Sequence, residues 1–478
     1  MKKSLLLLVL LWPVLAFSQN TNLNEAVQEL KSDPLLRQDS WALMVMNCET
    51  GEVIAEHNPD SMLIPASVTK LFSTALALET LGDTFHFRTG VFYSGSINNN
   101  TLNGDIWFKG GADPTIGMDY WGKLKFIDAL YTEIKSLGID TIRGDMIGQA
   151  AFFDSLLIPS TYPEDDYGNY YGAGTSALIW DGNRVELDFS TSWSVGQATT
   201  LKSFFPPFPL LKIDNKTTSG RSGTGDRSIV WGGPFDYDRM IDGTLSPGKS
   251  SFKVYASSPD PALGFVLAAQ YYLEEKGLVF LGECKSTYSY SVPDDAIEIL
   301  TWESPSLLEI VNHVNTYSHN VTAETLFKMS AKKLFSVTSY QHALIALDSF
   351  IVKTVGDTLN YEFHDGCGLS KDNRISPAFV VKFLQQIRSK TWFENYYASL
   401  PIAGKTGTLK SMFQGSVAYG KLRAKSGYMK TVRAYSGYVE NLNQEPIAFS
   451  VIVNNYKGNA YALKKKLEEL MIAIAQSE

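Results

Sequence analysis

The sequence predicts an α+β protein in which a domain of mixed helices and strands is interrupted by a long β-rich insertion. Three observations support this prediction: a strand pair and a helix near the N-terminus, a change of texture between residues 85 and 290, and a later return of helices and strands. A chain of 478 residues is long for one hydrophobic core, which favours two or three domains. The net charge of −8 argues against a nucleic-acid partner.

The N-terminus has the pattern of an export signal. Two lysines precede an apolar run from Leu5, and small residues at Ala16 and Ser18 fit cleavage before Gln19. The run is shorter than the roughly 20 residues that a membrane-spanning helix requires. We therefore expect a signal peptide at residues 1–18 rather than an anchor, and a mature protein exported to the periplasm.

The first elements follow from periodicity. Residues 41–57 contain two β-patterned runs joined at Glu49-Thr50-Gly51, which predicts a hairpin. The next segment opens after Pro65, repeats apolar residues at helical spacing and stops at Gly82. This pattern predicts an amphipathic helix with Ser67 at its start.

From about residue 85 to residue 290, short β-like runs such as "GDIWFKG" and "FKVYASS" alternate with clusters of Gly, Asp, Ser and Pro. This texture predicts β-rich, loop-rich structure. Helical periodicity returns at "SPSLLEIVNHVN", and strand patterns reappear at "RAYSGYVE" and "IAFSVIVNN". The sequence therefore predicts that helices and strands of the first domain resume after the insertion.

A helix is predicted at the C-terminus, with an apolar stripe of Leu463, Leu467, Leu470 and Ile474. Two interpretations of this stripe are open. A core helix lying on the sheet is favoured, because the segment follows a strand after one short turn. A membrane-binding face would instead give the protein a peripheral membrane contact. The sequence does not indicate an oligomeric state.

The cysteines and histidines indicate neither a disulfide framework nor a metal centre. Cys48, Cys284 and Cys367 are widely spaced, and the six histidines form no paired motif. We expect the cysteines to be core residues or free thiols, and we expect no metal and no cofactor.

Ser67 and Lys70 form an S-x-x-K motif, which places a hydroxyl and an amine one helical turn apart. A lysine can activate a serine when burial or a nearby cation lowers its pKa. The same spacing occurs before a turn, before a strand and on a polar helix face, at Ser246/Lys249, Ser250/Lys253 and Ser330/Lys333. Ser67 differs because it begins an apolar helix, whose free N–H groups can receive an oxyanion. On this motif alone, Ser67 is either a nucleophile or a plain N-cap residue.

Ser318-His319-Asn320 lies between two predicted helices. A hydroxyl that relays a proton and an amide that positions a carbonyl would suit acyl transfer. Taken alone, the segment is better explained as a helix-terminating loop with a capping serine.

Two Lys-Ser/Thr-Gly triplets occur close together, at residues 405–407 and 425–427. On a strand, such a triplet binds a carboxylate through its cation and hydroxyl, and its glycine lets the backbone approach closely. The first triplet precedes a helix-like run, whereas the second precedes two strand runs and the terminal helix. We therefore expect the second triplet, beginning at Lys425, to form the site.

In this order, the three motifs resemble those of the penicillin-recognising serine acyl-transferases. The chain is most similar to the class C low-molecular-mass penicillin-binding proteins, the D-alanyl-D-alanine carboxypeptidase/endopeptidase family. The resemblance covers nearly the whole mature chain and includes the gap of roughly 250 residues between the first and second motifs. Further matching segments are "GGADPTI", "YYGAGTSAL", "DGCGLSKDNRISP" and "LPIAGKTGTL". The last of these places the first triplet in a loop of the family.

The resemblance implies a serine β-lactamase/penicillin-binding-protein-like transpeptidase domain, an antiparallel sheet flanked by helices, with β-rich inserted domains. It implies a division into a signal peptide at 1–18, a transpeptidase-like part at 19–85, an inserted domain at 86–188, a nested insertion at 189–255, a return at 256–289, and a second transpeptidase-like part at 290–478.

The resemblance also implies roles in catalysis. Ser67 would be acylated with Lys70 as its general base, Ser318 would relay the proton to the leaving amine, and Asn320 would hold the peptide carbonyl of the substrate. The N–H groups of Ser67 and Tyr428 would form the oxyanion hole. Physical reasoning agrees on the base, since burial and the cation of the third motif would both favour a neutral amine.

The remaining roles concern the substrate. Lys425 and Ser426 would bind the terminal carboxylate, with Gly427 allowing the close approach. Asp166 and Tyr171 fall where family members contact the amino-bearing third residue of the stem peptide. The implied partners are peptidoglycan stem peptides, with β-lactams as covalent inhibitors.

Three positions depart from the family pattern. Ser426 replaces a threonine and keeps the hydroxyl. Cys367 replaces a serine, with no role indicated by the sequence. His319 is expected to be a solvent-facing filler, with modulation of the pH dependence as the alternative. The rival functions are a serine β-lactamase and a catalytically silent cell-wall-binding module.

Overall fold

The computed structural model describes residues 23–356 and 360–478, so the predicted signal peptide lies outside the described residues. The helices within these ranges are α1 Leu23–Ser32, α2 Lys70–Leu81, α3 Lys125–Ser136, α4 Pro261–Glu275, α5 Leu307–Tyr317, α6 Asn320–Phe335, α7 Tyr340–Val355, α8 Pro377–Gln386, α9 Phe393–Ser399 and α10 Ala460–Ala475. The strands are β1 Trp41–Asn47, β2 Val53–His57, β3 Arg88–Tyr93, β4 Ser96–Asn98, β5 Thr101–Asn103, β6 Ile106–Lys109, β7 Thr141–Ile142, β8 Met146–Gln149, β9 Arg184–Ser190, β10 Thr200–Phe205, β11 Lys212–Asn215, β12 Thr218–Ser219, β13 Arg227–Trp231, β14 Asp238–Leu245, β15 Phe252–Ser257, β16 Val279–Phe280, β17 Cys284–Thr287, β18 Ile297–Glu303, β19 Tyr361–Glu362, β20 Arg374–Ile375, β21 Arg423–Met429, β22 Val432–Glu440 and β23 Pro446–Asn454.

The main sheet joins the two ends of the described chain. Its order is β2-β1-β23-β22-β21, and every neighbouring pair is antiparallel. The predicted hairpin of β1 and β2 is confirmed. All seven residues of β1 are buried, and alternate residues contribute to two different cores, Ala42 and Met44 to one and Leu43 and Val45 to the other. The sheet is therefore covered on both faces.

The C-terminal helix α10 covers one face of this sheet together with α1. Its apolar stripe is buried, with at most 1% exposure at Leu463, Leu467, Leu470 and Ile474. The interpretation of α10 as a core helix is confirmed. The stripe is therefore part of the core and does not form a membrane-binding face.

The helix predicted after Pro65 is α2, preceded by a 3₁₀ turn over Ala66–Thr69 and ended at Gly82. The prediction of an amphipathic helix is wrong in one respect. Its first nine residues are all buried, because α5, α6 and α7 pack around it. Surrounded on several sides, α2 needs no polar face.

The region between α2 and α5 is β-rich, as predicted, and contains separate sheets. A five-stranded sheet has the order β17-β8-β6-β3-β18, and a four-stranded sheet has the order β16-β7-β5-β4. The nested part contains β10-β9-β15 and a further sheet in which β14 pairs with β11, β12 and β13. Two helices of this region, α3 and α4, are not predicted by the sequence reasoning.

Strand pairing suggests different domain borders from those predicted. β18 pairs with β3 of the insertion although it follows residue 289, and β9 pairs with β15 across the nested segment. Because a strand belongs with the sheet that it completes, we propose that the nested unit runs from Arg184 to Ser257. We propose that the insertion ends after Glu303.

Candidate active site

The candidate nucleophile lies in the turn that begins α2. Ala66 adopts a left-handed conformation with φ of 47° and begins the 3₁₀ turn that carries Ser67. The Nζ atom of Lys70 lies 3.0 Å from Ser67 Oγ. The structure therefore brings the hydroxyl and the amine of the S-x-x-K motif into hydrogen-bonding contact.

Lys70 is fully buried and held from three sides. Besides Ser67, its Nζ donates to Asn320 Oδ1 at 2.7 Å and to the Cys367 carbonyl oxygen at 2.6 Å. Burial lowers the pKa of Lys70, whereas the nearby groups of Cys367, Asp365 and Glu324 act in the opposite direction. The amine is fixed in one position, and its burial favours the neutral form that a base requires.

Ser318 and Lys425 form a second hydroxyl–amine pair. Ser318 ends α5 in a left-handed conformation, and Lys425 Nζ donates to its Oγ at 2.9 Å. Burial, followed by the charge of Lys70, lowers the pKa of Lys425 well below its usual value. Two lysines thus approach the same site, each beside one serine.

β21 is the edge strand of the main sheet and borders the site. The N–H of Ala424 donates away from the sheet, to the Pro401 carbonyl. Because alternate residues of a strand direct their N–H groups to the same side, the N–H of Tyr428 faces this edge as well. A side chain at Gly427 would collide with the Pro65 carbonyl oxygen, so glycine is required where β21 meets the turn carrying Ser67.

The insertion reaches the site through Asp166 and Tyr171. The Nδ2 group of Asn320 donates to the Tyr171 carbonyl oxygen at 2.7 Å, and the Tyr171 hydroxyl donates to Asp166 Oδ1 at 3.0 Å. A continuous hydrogen-bonded path therefore runs from Ser67 through Lys70 to the insertion. Burial raises the pKa of Asp166.

The chain matches one protein family along almost its whole length. The model described as "D-Ala-D-Ala carboxypeptidase 3 (S13) family" matches residues 23–476. The chain belongs to this family. It is a serine peptidase of the D-Ala-D-Ala carboxypeptidase type, and the resemblance to class C penicillin-binding proteins is confirmed.

Individual relatives are distant but extend over most of the chain. The D-alanyl-D-alanine carboxypeptidase of Actinomadura sp. is 27% identical over 453 residues, covering 92% of this chain and 82% of the relative. The D-alanyl-D-alanine carboxypeptidase DacB of Haemophilus influenzae is 23% identical over 463 residues, covering 95% and 92%.

Solved structures support the fold. The crystal structure of penicillin binding protein 4 (dacB) from H. influenzae aligns with a TM-score of 0.78 at 21% identity, covering 95% of this chain and 99% of that chain. A predatory peptidoglycan endopeptidase from Bdellovibrio bacteriovorus aligns with a TM-score of 0.51 at 15% identity, covering 90% of each chain. The predicted α+β fold with additional sheet domains is confirmed.

A buried carboxylate near Lys70, that of Glu324, was not predicted from the sequence. Glu324 lies one helical turn after Asn320 on α6 and accepts hydrogen bonds from the N–H groups of Gly366 and Cys367 and from the Tyr162 hydroxyl. It thereby fixes the loop whose Cys367 carbonyl contacts Lys70. Burial and the nearby Asp365 raise the pKa of Glu324 to about 7. The spacing of four residues after Asn320 was the available signal.

Asp365 supports the same loop from inside. Its carboxylate accepts from the N–H groups of Gly368 and Ser370 and from the Asn373 side chain. Asp365, Glu324 and Cys367 lie close enough together to suggest a metal centre. Both carboxylates, however, already accept several protein donors, so we interpret the trio as a hydrogen-bonding support.

Cys367 contributes its backbone rather than its thiol. Its carbonyl holds Lys70, while its Sγ lies 3.1 Å from the Tyr162 hydroxyl, and burial raises the pKa of the thiol. Cys48, Cys284 and Cys367 are all free. The expectation of core residues or free thiols is confirmed.

The expectation that His319 is a solvent-facing filler is wrong. Its Nδ1 accepts from the Thr322 N–H and caps α6, and its ring fits against Gly182 of the insertion. Burial, followed by the charge of His313, lowers the pKa of His319 to about 3. The side chain is therefore neutral near pH 7, which argues against control of the pH dependence in that range.

The other lysine triplet lies outside this hydrogen-bonded network. Lys405 and Thr406 belong to a loop after Ile402, whereas residues 425–427 lie on β21, as predicted from the strand context. Lys405 is exposed, and its Nζ atom lies 5.8 Å from the centre of the Tyr419 ring. In the part of the chain that the structure describes, no helix has both the length and the apolarity needed to cross a bilayer.

Proposed function

We propose that this family member acts on peptidoglycan stem peptides through an acyl-enzyme on Ser67, removing the terminal D-alanine as a carboxypeptidase and cleaving D-alanyl cross-links as an endopeptidase. The observation that carries the proposal is the pairing of two buried lysines with two serines: Lys70 with Ser67 at 3.0 Å and Lys425 with Ser318 at 2.9 Å. Such pairs supply both a base for the nucleophile and a proton path to the leaving group.

In acylation, neutral Lys70 takes the proton of Ser67, whose oxygen attacks the carbonyl carbon of the penultimate D-alanine. The N–H groups of Ser67 and Tyr428 receive the oxyanion. The carbon–nitrogen bond then breaks, and Ser318 relays the proton that Lys70 took from Ser67 to the departing amine, so that Lys70 is neutral again. Hydrolysis of the serine ester by water releases the shortened peptide and restores the hydroxyl.

Binding of the substrate carboxylate changes the charge of the site. Lys425 and Ser426 face this group in the proposed complex. A carboxylate beside Lys425 favours the ammonium form and reverses the effect of burial on its pKa. The substrate carboxylate would therefore favour the charged form of Lys425 that binds it.

Asn320 retains one side-chain N–H that can donate a hydrogen bond to the substrate. Its Oδ1 accepts from Lys70 and one Nδ2 proton goes to the Tyr171 carbonyl, which leaves the second Nδ2 proton for the peptide carbonyl. Asp166 and Tyr171 would recognise the amine of the third residue, because an ammonium group beside Asp166 stabilises the ionised carboxylate.

Labelling with a fluorescent penicillin tests the acyl-enzyme. The wild-type protein should be labelled and Ser67→Ala should not be. Labelling of Ser67→Ala, or none of the wild type, would exclude the acyl-enzyme, and the second result would favour a silent binding module. Rapid turnover of a chromogenic cephalosporin would favour a β-lactamase.

Digestion of purified muropeptides tests the reaction itself. Monomers ending in D-alanyl-D-alanine should lose one D-alanine, and D-alanyl cross-linked dimers should give monomers, both resolved by mass. Loss of alanine without cleavage of dimers would restrict the enzyme to the carboxypeptidase reaction.

We also propose export to the periplasm, supported by the signal-peptide pattern and by a substrate class that lies outside the cytoplasm. N-terminal sequencing of the protein from a periplasmic fraction should begin at Gln19. An intact N-terminus in the cytoplasmic fraction would contradict the proposal.

A further inference from the structure

A groove continues from the site beyond Ser426. It has a volume of about 660 Å³ and lies between the end of α5, the loop around residues 400–410, and Tyr120 of the insertion. Thr408 lines the groove, and its Oγ1 accepts a hydrogen bond from Ser426 Oγ at 2.8 Å. Tyr317, the residue before Ser318, lines it as well. The groove therefore begins where the substrate carboxylate is proposed to bind.

The groove carries positive charge in an acidic protein. Lys405 and Lys410 line it and are exposed, and its lining includes no aspartate or glutamate. Among the described residues, no salt bridge is formed by either lysine. With a net charge of −8 for the whole chain, this local excess of cations favours an anionic occupant.

One wall of the groove is aromatic. Tyr120 and Tyr317 are 55% and 56% exposed, and their ring centres lie 5.5 Å apart in an edge-to-face arrangement. Tyr120 comes from the insertion and Tyr317 from α5. Exposed tyrosines of this kind provide apolar contact area together with a polar hydroxyl, which suits a peptide chain.

The two reactions of the proposed enzyme make different demands on this groove. In the carboxypeptidase reaction, the leaving group is a single D-alanine that ends at its carboxylate. In the endopeptidase reaction, the leaving amine belongs to a second stem peptide, which continues past the scissile bond and carries further carboxylates. A cationic groove of this size is unnecessary for the first leaving group and complementary to the second.

We propose that this groove binds the leaving strand of a cross-linked substrate, with Lys405 and Lys410 contacting its carboxylates. The inference rests on the proposed function and adds a binding site for the part of the substrate beyond the scissile bond. The first Lys-Thr-Gly triplet, which lies outside the catalytic network, is thereby given a role in substrate choice.

The test uses the double variant Lys405→Ala/Lys410→Ala and three rates: penicillin acylation, D-alanine release from a monomeric muropeptide, and cleavage of a cross-linked dimer. We expect the first two rates to stay within about twofold and kcat/KM for the dimer to fall about tenfold. The loss should shrink as ionic strength rises, because salt screens exposed charges. Lys249→Ala, which removes an exposed lysine of the nested insertion, is the matched control.

A second arm changes the substrate. A dimer in which the leaving-strand carboxylates are amidated, except for the one next to the scissile bond that Lys425 and Ser426 would hold, should be cleaved about tenfold more slowly by the wild type. It should be cleaved at the same rate by wild type and double variant. Unchanged dimer cleavage in the double variant, or an equal loss in all three rates, would overturn the groove proposal. Cleavage of monomers but not dimers by the wild type would overturn it and leave the carboxypeptidase function standing. Failure of the wild type in all three assays would refute the proposed function itself.

Discussion

Residues 425–427 and 405–407 have the same chemistry in sequence and opposite surroundings in the fold. Lys425 is fully buried on the edge strand of the main sheet and donates to Ser318, whereas Lys405 stands exposed on a loop. An ammonium in the first setting loses its hydration, so burial tunes its proton affinity. In the second setting it keeps its hydration and acts through charge at longer range. This difference in environment supports the proposal that the two lysines have different tasks, Lys425 in bond cleavage and Lys405 in substrate choice.

The largest expected difference is in the acylation rates of the Lys425 and Lys405 variants. Lys425→Ala removes the partner of Ser318 and should slow penicillin acylation by at least about 100-fold, the range seen for groups that assist proton transfer. Lys405→Ala should retain most of the acylation. Stopped-time labelling with a fluorescent penicillin measures both rates, and comparable losses in the two variants would remove the distinction.

The second largest effect is expected at Gly427, the glycine of the triplet on β21. Gly427→Ala would push β21 away from the Pro65 carbonyl and displace the carboxylate site from Ser67, so acylation should fall about 100-fold or less. Gly415→Ala is the control, because Gly415, unlike Gly427, has a positive φ and open space around it. This control should lose stability in thermal unfolding and keep its acylation rate. A loss of acylation equal to that of Gly427→Ala would contradict the steric argument.

Removing the hydroxyl of each triplet should have a different effect: loss of activity for Ser426 and loss of stability for Thr406. Ser426→Ala removes a hydroxyl proposed to bind the substrate carboxylate and should lower kcat/KM for D-alanine release about tenfold. Thr406 Oγ1 instead accepts from the Ile402 N–H, so Thr406→Ala should destabilise the fold by about 1 kcal/mol and leave D-alanine release unchanged. Ser426→Thr should restore activity, since it keeps the hydroxyl. Denaturant unfolding and muropeptide digestion measure the two effects, and a stable, inactive Thr406→Ala would contradict the assignment.

The smallest expected effect concerns pH. In the proposed mechanism neutral Lys70 is the active form, and burial lowers its pKa from 10.5, so acylation should fall as the pH drops through that lowered pKa. Lys405→Ala should move this midpoint by less than about 0.3 pH unit, because exposed charges are screened. Glu324→Gln should move it to lower pH, since ionised Glu324 stabilises the protonated Lys70. Labelling rates across the pH range at fixed ionic strength test both, and an upward shift in Glu324→Gln would contradict the electrostatic reasoning.

Local patterns in the sequence were sufficient for the main-sheet hairpin, the helix after Pro65 and the strand context of Lys425. The helices α3 and α4 were missed although each carried a signal. Phe126, Ile127, Leu130 and Ile134 have helical spacing, and Asp260 followed by Pro261 is a common start of a helix. The surrounding β texture obscured both patterns. α4 is also apolar on most sides, which removes the amphipathic signature.

In the candidate site, the motifs predicted a set of side chains that the structure brings together, but not the groups that hold them in place. The Cys367 carbonyl that contacts Lys70 is a backbone group and leaves no mark in the residue type. His319 packs against Gly182, which lies far away in sequence, in the insertion. Such contacts are set by tertiary packing, which periodicity and spacing do not encode.

The strand order of the main sheet limits when the protein can become active. Leu43 of β1 pairs with Val451 of β23, and Ser67 lies against β21, so the site joins segments that lie far apart along the chain. Pairings of such long sequence separation form late in folding. A chain that is still being synthesised or threaded through a membrane cannot assemble Lys425 beside Ser318. The enzyme should therefore acquire its activity only after the last strands have docked, and truncated products should be inert toward the cell wall.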